Sequence, residues 1–353
     1  MGADEAVDPQ TESLIAKVAG NPIATLMLAQ TLLLPRGKMK RARELCDAAL
    51  ALAPDDGEVK ALAQGIRSRG VGAWYFTMVQ DHVRHARYAE AFRKIFKPGC
   101  TVLDMGAGTG LFAMLSAREG AGKVVACERD AGVADAARNI IEINGYSDRV
   151  TVIPKDSREL EIGVDLDGPA DVLLWDNLAN DLVGVGGLDA VEDARRRLLK
   201  PGAAIIPGRC EIRVALAQTN PASDTRMGIV DGFDLSPFNR FRPTQTTISR
   251  RKLEFRSRPV TIFDFDLAQS ELVRSRNNRA VVSATGDGVD GIAQWLRFHL
   301  AEDIAYDTVE DEGVMAFGVQ YHAVEPFEAD QGQEIKIAGG HDRLRTWFWI
   351  ETD

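Results

Sequence analysis

The chain has 353 residues, of which 45% are hydrophobic and 27% charged, and its formal net charge is −10 at pH 7. These values predict a soluble globular protein of two or three domains and argue against nucleic acid as the main partner. No apolar run approaches the roughly 20 residues of a membrane-spanning helix. The four cysteines lack the paired spacing of a zinc site or a disulfide framework. We therefore expect a cytoplasmic protein with no membrane partner and no metal site.

Residues 1–70 predict a short helical segment. The small residues Ala42 and Ala49, the closing Pro54 and a turn at Gly37 have the spacing of a tetratricopeptide helix pair. A single repeat of this kind is rarely stable alone. An amphipathic helical hairpin that caps the next domain is therefore an equally good interpretation.

Residues 71–206 alternate strand and helix patterns, which predicts a parallel, doubly wound, Rossmann-like sheet. The predicted strands are Thr101–Met105, Lys123–Cys127, Val150–Pro154 and Asp171–Trp175, and the predicted helices are Leu111–Glu119, Ala131–Asn144 and Leu188–Leu199. Pro201-Gly202 then interrupts the pattern.

Residues 207–353 predict an antiparallel β domain, because short strand-like segments follow one another with turn residues between them. The candidate strands are Glu211–Ala217, Arg258–Phe263, Arg279–Ser283 and Arg345–Trp349. A polar, turn-rich insertion at Asp231–Asn239 lies near the start of this domain.

The first strand of the parallel sheet runs into a glycine-rich turn that contains Gly106, Gly108 and Gly110. Glycines of this kind allow a ligand to approach the backbone where a Cβ would clash. Glu128 ends the second strand, where an acid suits the two hydroxyls of a ribose. Asp156 and Ser157 follow the third strand, where the edge of an adenine is expected.

The residues around this turn indicate which nucleotide-containing ligand it binds. The turn has neither the Gly-Lys-Ser/Thr of a Walker loop nor the glycine spacing of a dinucleotide site. Asp104 precedes the glycines, and its charge would repel a pyrophosphate. S-adenosylmethionine carries an ammonium and a sulfonium and no phosphate, so the turn predicts an S-adenosylmethionine-dependent methyltransferase.

Three further motifs extend this prediction. They are the segment Trp74–Arg84 with Tyr88, the run Leu199–Gly202 with Ile206-Pro207, and the Gly232–Asp234 insertion. With these motifs, residues 72–353 resemble the protein arginine methyltransferases, and the helical N-terminal part is similar to divergent branches that carry tetratricopeptide repeats.

The resemblance implies a class I methyltransferase domain, an antiparallel β-barrel-like domain after it, and S-adenosylmethionine as cofactor. It implies that Arg84 pairs with the cofactor carboxylate, that Phe76 and Met78 pack over the cofactor, and that the insertion forms a homodimer.

The acceptor half of the predicted site departs from the family. Members of the family orient the guanidinium with two glutamates, nine residues apart, on the loop after the fourth strand. The first position falls on Asp176 and the second on Val185, with Asp181 between them as a candidate substitute. A helix cap or a turn is the alternative role for both aspartates.

A second departure concerns the Thr-His-Trp segment that is usual in the family's barrel. It is not recognisable here, and its equivalent lies around Gly313–Gly318. His299 and His322 are candidate replacements, although a lone histidine in a strand is more often structural.

We therefore predict an N-methyltransferase that acts on an arginine-type guanidinium, with Asp176 and Asp181 as the catalytic acids. The acceptor is a protein arginine, a peptide, free arginine or a small guanidino metabolite. Two alternatives remain: a methyltransferase for a different nitrogen or oxygen acceptor, and a non-catalytic scaffold that binds the cofactor.

Overall fold

In the computed structural model, the described residues are 7–176, 180–219, 226–268, 272, 276–314 and 317–351. The N-terminal part folds into helices α1 (Pro9–Val18), α2 (Pro22–Leu28), α3 (Met39–Leu52) and α4 (Gly57–Arg67). Helices α1, α2 and α4 each begin after an Asp or Asn whose side chain accepts a hydrogen bond from the first turn. Gly37, in the predicted turn before α3, has φ +71°.

These helices form a core of their own. Leu26, Leu33, Leu45 and Ile66 are buried against one another, together with the predicted small residues of α3. This core is separate from the one that fills the rest of the protein. The N-terminal helices, residues 9–67, are called the helical module below.

Two helices connect the module to a parallel sheet: α5 (Trp74–Met78) and α6 (His82–Ile95). The strands of the sheet are β1 (Thr101–Met105), β2 (Lys123–Cys127), β3 (Val150–Ile153), β4 (Ala170–Trp175) and β5 (Leu199–Ile206), and its helices are α7 (Leu111–Arg118), α8 (Ala131–Ile143) and α9 (Gly187–Arg197). The strand order is β3-β2-β1-β4-β5, with every pair parallel. The predicted Rossmann-like sheet is confirmed. The strand order reverses between β1 and β4, and ligands bind open α/β sheets at the carboxyl edge of such a point.

Strand β5 continues through Pro201-Gly202, where the sequence predicts a break. Its pairing with β4 shifts register between the Ala170 and Val172 positions, and β5 lies at the edge of the sheet. A proline is tolerated at an edge because its missing N–H faces no partner strand.

The remaining strands are antiparallel. They are β6 (Arg209–Thr219), β7 (Ile229–Val230), β8 (Phe233–Asp234), β9 (Gln245–Ile248), β10 (Leu253–Phe255), β11 (Val260–Asp266), β12 (Arg276–Ser283), β13 (Asp287–Ala301), β14 (Ile304–Asp307), β15 (Val319–Ala329), β16 (Glu334–His341) and β17 (Thr346–Glu351). One sheet is built on β10-β6-β13-β15-β9 with β11 and β14 attached, another is β12-β16-β17, and β7 pairs with β8. The predicted antiparallel domain is confirmed.

The long strand β13 has no counterpart among the predicted strands. It pairs with β6, β14 and β15, and most of its residues are buried on both faces. A strand buried on both faces lacks the alternation of apolar and polar residues by which a half-exposed strand is recognised.

Helix α6 joins the two halves of the molecule. It contacts α7 beside the parallel sheet and β13 and β14 of the antiparallel sheet. Side chains on α6 therefore reach the edge of both sheets at once. Among the described residues, the helices are all too short or too polar to cross a membrane.

Candidate active site

The glycine-rich turn after β1 has a left-handed backbone at each of its three glycines. The φ angles are +84° at Gly106, +53° at Gly108 and +76° at Gly110. The hydroxyl of Tyr75 lies where a Cβ on Gly108 would stand, so a larger residue there would displace the tyrosine. The missing side chain of Gly108 therefore makes room for the ring of Tyr75, which lies against the turn.

Glu128 lies directly beneath this turn. Its Oε2 accepts a hydrogen bond of 3.1 Å from the backbone N–H of Gly108, and its Oε1 accepts one of 2.9 Å from that of Asp130. The two bonds fix the carboxylate at the carboxyl edge of β2. Each oxygen keeps a further lone pair for a ligand hydroxyl.

Asp104 is buried at the end of β1, with 2% of its surface exposed. Its Oδ2 atom has no hydrogen-bond partner among the described residues. Burial, and then the nearby charges of Asp176 and Glu128, raise the pKa of Asp104 to about 8. A buried carboxyl without a partner is costly, so the position favours a ligand that brings a positive charge.

Arg84 of α6 lies opposite these acids and is 2% exposed. Its Nη1 stands 3.0 Å from Oδ2 of Asp176, and its guanidinium lies 5.0 Å from the ring centre of Phe112. Tyr88 donates a hydrogen bond of 2.8 Å to Oδ1 of Asp176. Burial raises the pKa of Asp176, while the charge of Arg84 opposes that rise. The structure thus pairs the predicted cofactor ligand with the predicted catalytic acid.

Two residues that the sequence did not single out complete this cluster. Asp81 caps α6, where Oδ1 accepts a hydrogen bond of 2.9 Å from the N–H of Arg84. Its Oδ2 accepts one of 2.8 Å from the hydroxyl of Tyr306, on β14. An aspartate before a helical run is a recognisable cap signal. Tyr306 lies 225 residues away and has no local signal.

Several predicted cofactor residues lie apart from this cluster. The side chain of Phe76 is 65% exposed and that of Met78 is partly buried, so Tyr75 is the ring of α5 that contacts the turn. Asp156 caps the 3-10 turn that begins at Ser157 and binds the guanidinium of Arg158 at 2.8 Å. The hydrogen bonds from Arg158 lower the pKa of Asp156 to about 2. The roles of these residues toward the cofactor stay predictions.

Asp181 serves the local backbone of the loop after β4. Its Oδ1 accepts a hydrogen bond of 3.1 Å from the N–H of Gly184, and burial raises its pKa. The next residue, Leu182, is buried with φ +65°. Such a conformation costs energy for a non-glycine residue and concentrates at functional sites. The neighbouring Asn177 and Leu178, and the side chain of Val185, lie outside the described residues.

The candidate histidines have partners elsewhere. His299 Nε2 lies 2.7 Å from Glu211, and His322 Nε2 lies 2.8 Å from Gln294. Met315 and Ala316, within the stretch Gly313–Gly318, lie outside the described residues. Tyr306, rather than either histidine, is the barrel side chain that contacts α6 at the site.

The donor set fits S-adenosylmethionine. The unpartnered Oδ2 of Asp104 complements an ammonium, and Nε of Arg84, which also lacks a hydrogen-bond partner among the described residues, complements a carboxylate. Glu128 is fixed by two backbone N–H groups and keeps acceptor positions that suit a ribose diol.

Comparisons with known proteins agree with this fold. A family model described as ribosomal protein L11 methyltransferase (PrmA) matches residues 87–209. The solved structure of the Trypanosoma brucei PRMT1 enzyme-prozyme heterotetrameric complex with AdoHcy aligns with a TM-score of 0.67 at 19% identity, over 80% of this chain and 98% of that one. Fold and site together define a class I, S-adenosylmethionine-dependent methyltransferase.

Two curated relatives narrow the class. The arginine N(omega)-methyltransferase of Streptomyces achromogenes subsp. streptozoticus is 34% identical over 284 residues, which are 78% of this chain and 77% of that protein. Protein arginine N-methyltransferase 7 of Oryza sativa subsp. indica is 31% identical over 66% of this chain, which spans only 36% of that relative's length. The chain belongs to the arginine methyltransferase family.

The pKa of Asp104 predicts that cofactor binding releases a proton. In the empty site the pKa is raised to about 8, so the carboxyl is mostly protonated at pH 7. A bound ammonium favours the charged form and lowers that pKa. Affinity should therefore increase as the pH rises towards 8 and level off above it.

Calorimetric titration with S-adenosylhomocysteine at pH 7, in two buffers of different ionisation enthalpy, measures the released protons. The wild type should release about one proton more than Asp104→Asn, which cannot titrate. Equal proton release by the two proteins would contradict the prediction.

Proposed function

We propose that this enzyme transfers a methyl group to a nitrogen of an arginine-type guanidinium. The observation that carries the proposal is the charge of the cluster, in which four carboxyl groups accompany a single arginine. The acids are Asp81, Asp104, Glu128 and Asp176, and the arginine is Arg84. Such a surplus of negative charge in a buried region suits two cationic ligands, a sulfonium donor and a guanidinium acceptor.

S-adenosylmethionine supplies an activated methyl group, so the protein's main task is to position the acceptor nitrogen. Asp176 is suited to that task because it stands at the carboxyl edge of β4. Tyr88 and Arg84 each use one of its oxygens. A carboxylate has about four acceptor positions, so Asp176 can bind the guanidinium while it keeps both contacts.

Arg84 has a second role in this proposal. It would share its guanidinium between Asp176 and the cofactor carboxylate, since its Nε is unpartnered among the described residues. Cofactor binding would then draw positive charge away from Asp176 and leave that carboxylate more available to the acceptor. Asp104 and Glu128 would hold the ammonium and the ribose.

The loop after β4 offers a weaker second acid than the family pattern. Asp181 already uses one oxygen to accept a hydrogen bond from the N–H of Gly184, so its orientation is tied to that cap and fewer of its acceptor positions remain for a guanidinium. An acceptor that brings its own carboxylate can be anchored at other points, so we favour free arginine or a small guanidino compound over a protein arginine. The name of the Streptomyces achromogenes relative, arginine N(omega)-methyltransferase, supports this choice.

Labelled S-adenosylmethionine tests the acceptor class directly. The enzyme is incubated with free guanidino compounds and, separately, with arginine-rich peptides. Label should enter the free guanidino pool. Label in the peptides alone would overturn the preference for a small acceptor, and label only in acceptors without a guanidine would overturn the proposed function.

Asp176→Asn should separate catalysis from cofactor binding. The amide keeps the size of the side chain and loses the charge that orients the guanidinium, so kcat should fall by about a hundredfold or more. The dissociation constant for S-adenosylhomocysteine should not increase, because the cofactor carboxylate no longer competes with a charged Asp176 for Arg84. Arg84→Ala is the matched comparison and should instead weaken cofactor binding. Loss of affinity in Asp176→Asn would place this residue in the cofactor site.

We also propose that the enzyme acts as a homodimer through the segment Arg226–Phe241, called the arm. It contains the β7–β8 hairpin, and Asn239 ties its ends by two hydrogen bonds of 2.9 Å to Met227. Its apolar side chains are unusually exposed: Met227, Ile229, Val230, Phe233, Leu235, Phe238 and Phe241. A contiguous apolar patch of this kind marks an interaction site.

Replacing two aromatic rings of the arm should produce a monomer. Phe233 is 72% exposed and Phe238 59%, so Phe233→Ser with Phe238→Ser removes apolar area without disturbing the core. Val164→Ser is the control, because Val164 is 74% exposed and lies outside the arm. Sedimentation velocity should give a dimer for the wild type and the control. A monomeric wild type would refute the proposal.

We further propose that the enzyme works in the cytoplasm. The support is its thiol chemistry: Cys46, Cys100, Cys127 and Cys210 are all buried and free. Unpaired thiols suit a reducing compartment.

A further inference from the structure

An arginine of the helical module contacts the methyltransferase domain. Arg43, on α3, has a side chain that is 14% exposed and forms an ion pair with Asp130. Its second terminal nitrogen donates a hydrogen bond of 3.2 Å to the carbonyl of Arg69, in the segment after α4. Arg43 therefore links α3 and the segment after α4 to the domain that binds the cofactor.

Asp130 is the cap of α8 and the neighbour of the predicted ribose acid. Its Oδ1 accepts a hydrogen bond of 3.0 Å from the N–H of Val133, and its own N–H donates one of 2.9 Å to Oε1 of Glu128. Burial alone would raise the pKa of Asp130, but the bonds from Arg43 and the backbone outweigh it and lower the pKa. Asp130 is thus held as an anion, and its backbone N–H is one of the two that hold the carboxylate of Glu128.

A continuous chain of contacts follows. It runs from Arg43 to Asp130, from Asp130 to Glu128, and from Glu128 Oε2 to the N–H of Gly108 in the glycine turn, at 3.1 Å. Each link is a hydrogen bond or an ion pair with a defined direction. Asp130 and Glu128 are therefore the residues through which a shift of Arg43 would reach the carboxylate assigned to the ribose.

Gly132 shows that Arg43 fits this place closely. A Cβ on Gly132 would lie 2.9 Å from Cδ of Arg43, and nearer still to its guanidinium. The backbone of Gly132 is helical, within α8, so glycine is not required there for a left-handed turn. The missing side chain instead leaves room for the arginine.

We propose that the helical module is a working part of the cofactor site, and that Arg43 is a positioning residue for Glu128. The proposal rests on the assignment of Glu128 to the cofactor ribose. It gives the N-terminal helices a role that does not require them to bind a peptide. Because coupling between two sites is reciprocal, the cofactor should also stabilise the docking of the module.

Arg43→Ala tests the proposal in the enzyme with its helical module in place. The dissociation constant for S-adenosylhomocysteine should rise by about tenfold, within the usual range of couplings between sites. The KM for S-adenosylmethionine should rise with it, while kcat at saturating cofactor stays unchanged. A merely structural role would lower the melting temperature without this split between KM and kcat.

Arg41→Ala is the matched control on the same helix. Arg41 pairs at 2.8 Å with Glu12 and at 2.9 Å with Glu44, both inside the module. Its loss removes an arginine and its ion pairs but leaves the contact with Asp130 intact. Cofactor affinity should therefore stay within about twofold of the wild type.

Gly132→Ala displaces Arg43 without removing it. Alanine favours the helix more than glycine does, so the fold should not be weakened. Cofactor affinity should fall in this variant, and the same substitution should have no further effect in Arg43→Ala. Additive losses in the double variant would overturn the proposal.

Glu128→Gln distinguishes a failure of the proposal from a failure of its premise. If Glu128→Gln weakens cofactor binding and Arg43→Ala does not, or if Arg43→Ala and Arg41→Ala weaken it equally, the coupling is refuted. If neither Glu128→Gln nor Arg43→Ala weakens binding, the ribose assignment is refuted and the coupling falls with it.

Hydrogen exchange supplies the reciprocal measurement. In the wild type, S-adenosylhomocysteine should slow amide exchange in α3 and α4, although the ligand contacts neither helix. The protection should be absent in Arg43→Ala and retained in Arg41→Ala. Exchange in α3 and α4 that is the same with and without ligand in the wild type would overturn the proposal.

Discussion

The site depends on the burial of more negative than positive charge. Asp81 and Asp176 contact Arg84, and the charge of Asp176 acts on the buried Asp104, at the point where the parallel sheet reverses its strand order. An unpaired buried charge is expensive, so the protein meets the cost partly by keeping Asp104 protonated and partly by hydrogen bonds from two tyrosines. The remaining imbalance is relieved when cationic ligands bind. In this proposal, the affinities for the donor and for the acceptor both come from the excess of buried negative charge.

Helix α6 makes that concentration of charge possible. It carries Arg84 and Tyr88 towards β4 of the parallel sheet, and its cap Asp81 reaches Tyr306 of the antiparallel sheet. Both sheets therefore hold the same short helix. A displacement between them would change the acceptor side and the cofactor side together, so the two halves of the site keep a common geometry.

The sequence predicts those parts of the site that depend on neighbouring residues, and the structure adds the contacts between residues that are distant in the chain. The glycine turn, Asp104 and Glu128 are foreseeable because strand ends and turn glycines are local signals that converge on one sheet edge. The contact between Arg84 and Asp176 was not foreseeable, because each residue was assigned to a different ligand and 92 positions separate them. The contacts of Tyr306 and of the Arg43–Asp130 pair could not be predicted for the same reason, because neither contact produces a periodic pattern in the sequence. Strand β13 could not be predicted because burial on both faces removes the alternation of apolar and polar residues.

The surplus of carboxylates also bears on how a reaction cycle ends. Methyl transfer converts a sulfonium into an uncharged thioether, so the spent donor carries one positive charge fewer than the fresh one. The carboxyl groups of Asp104 and Asp176 should therefore attract the two forms unequally. The charge that favours binding of the donor should favour release of the spent donor once the methyl group has left. The excess of acids should therefore affect turnover as well as substrate recognition.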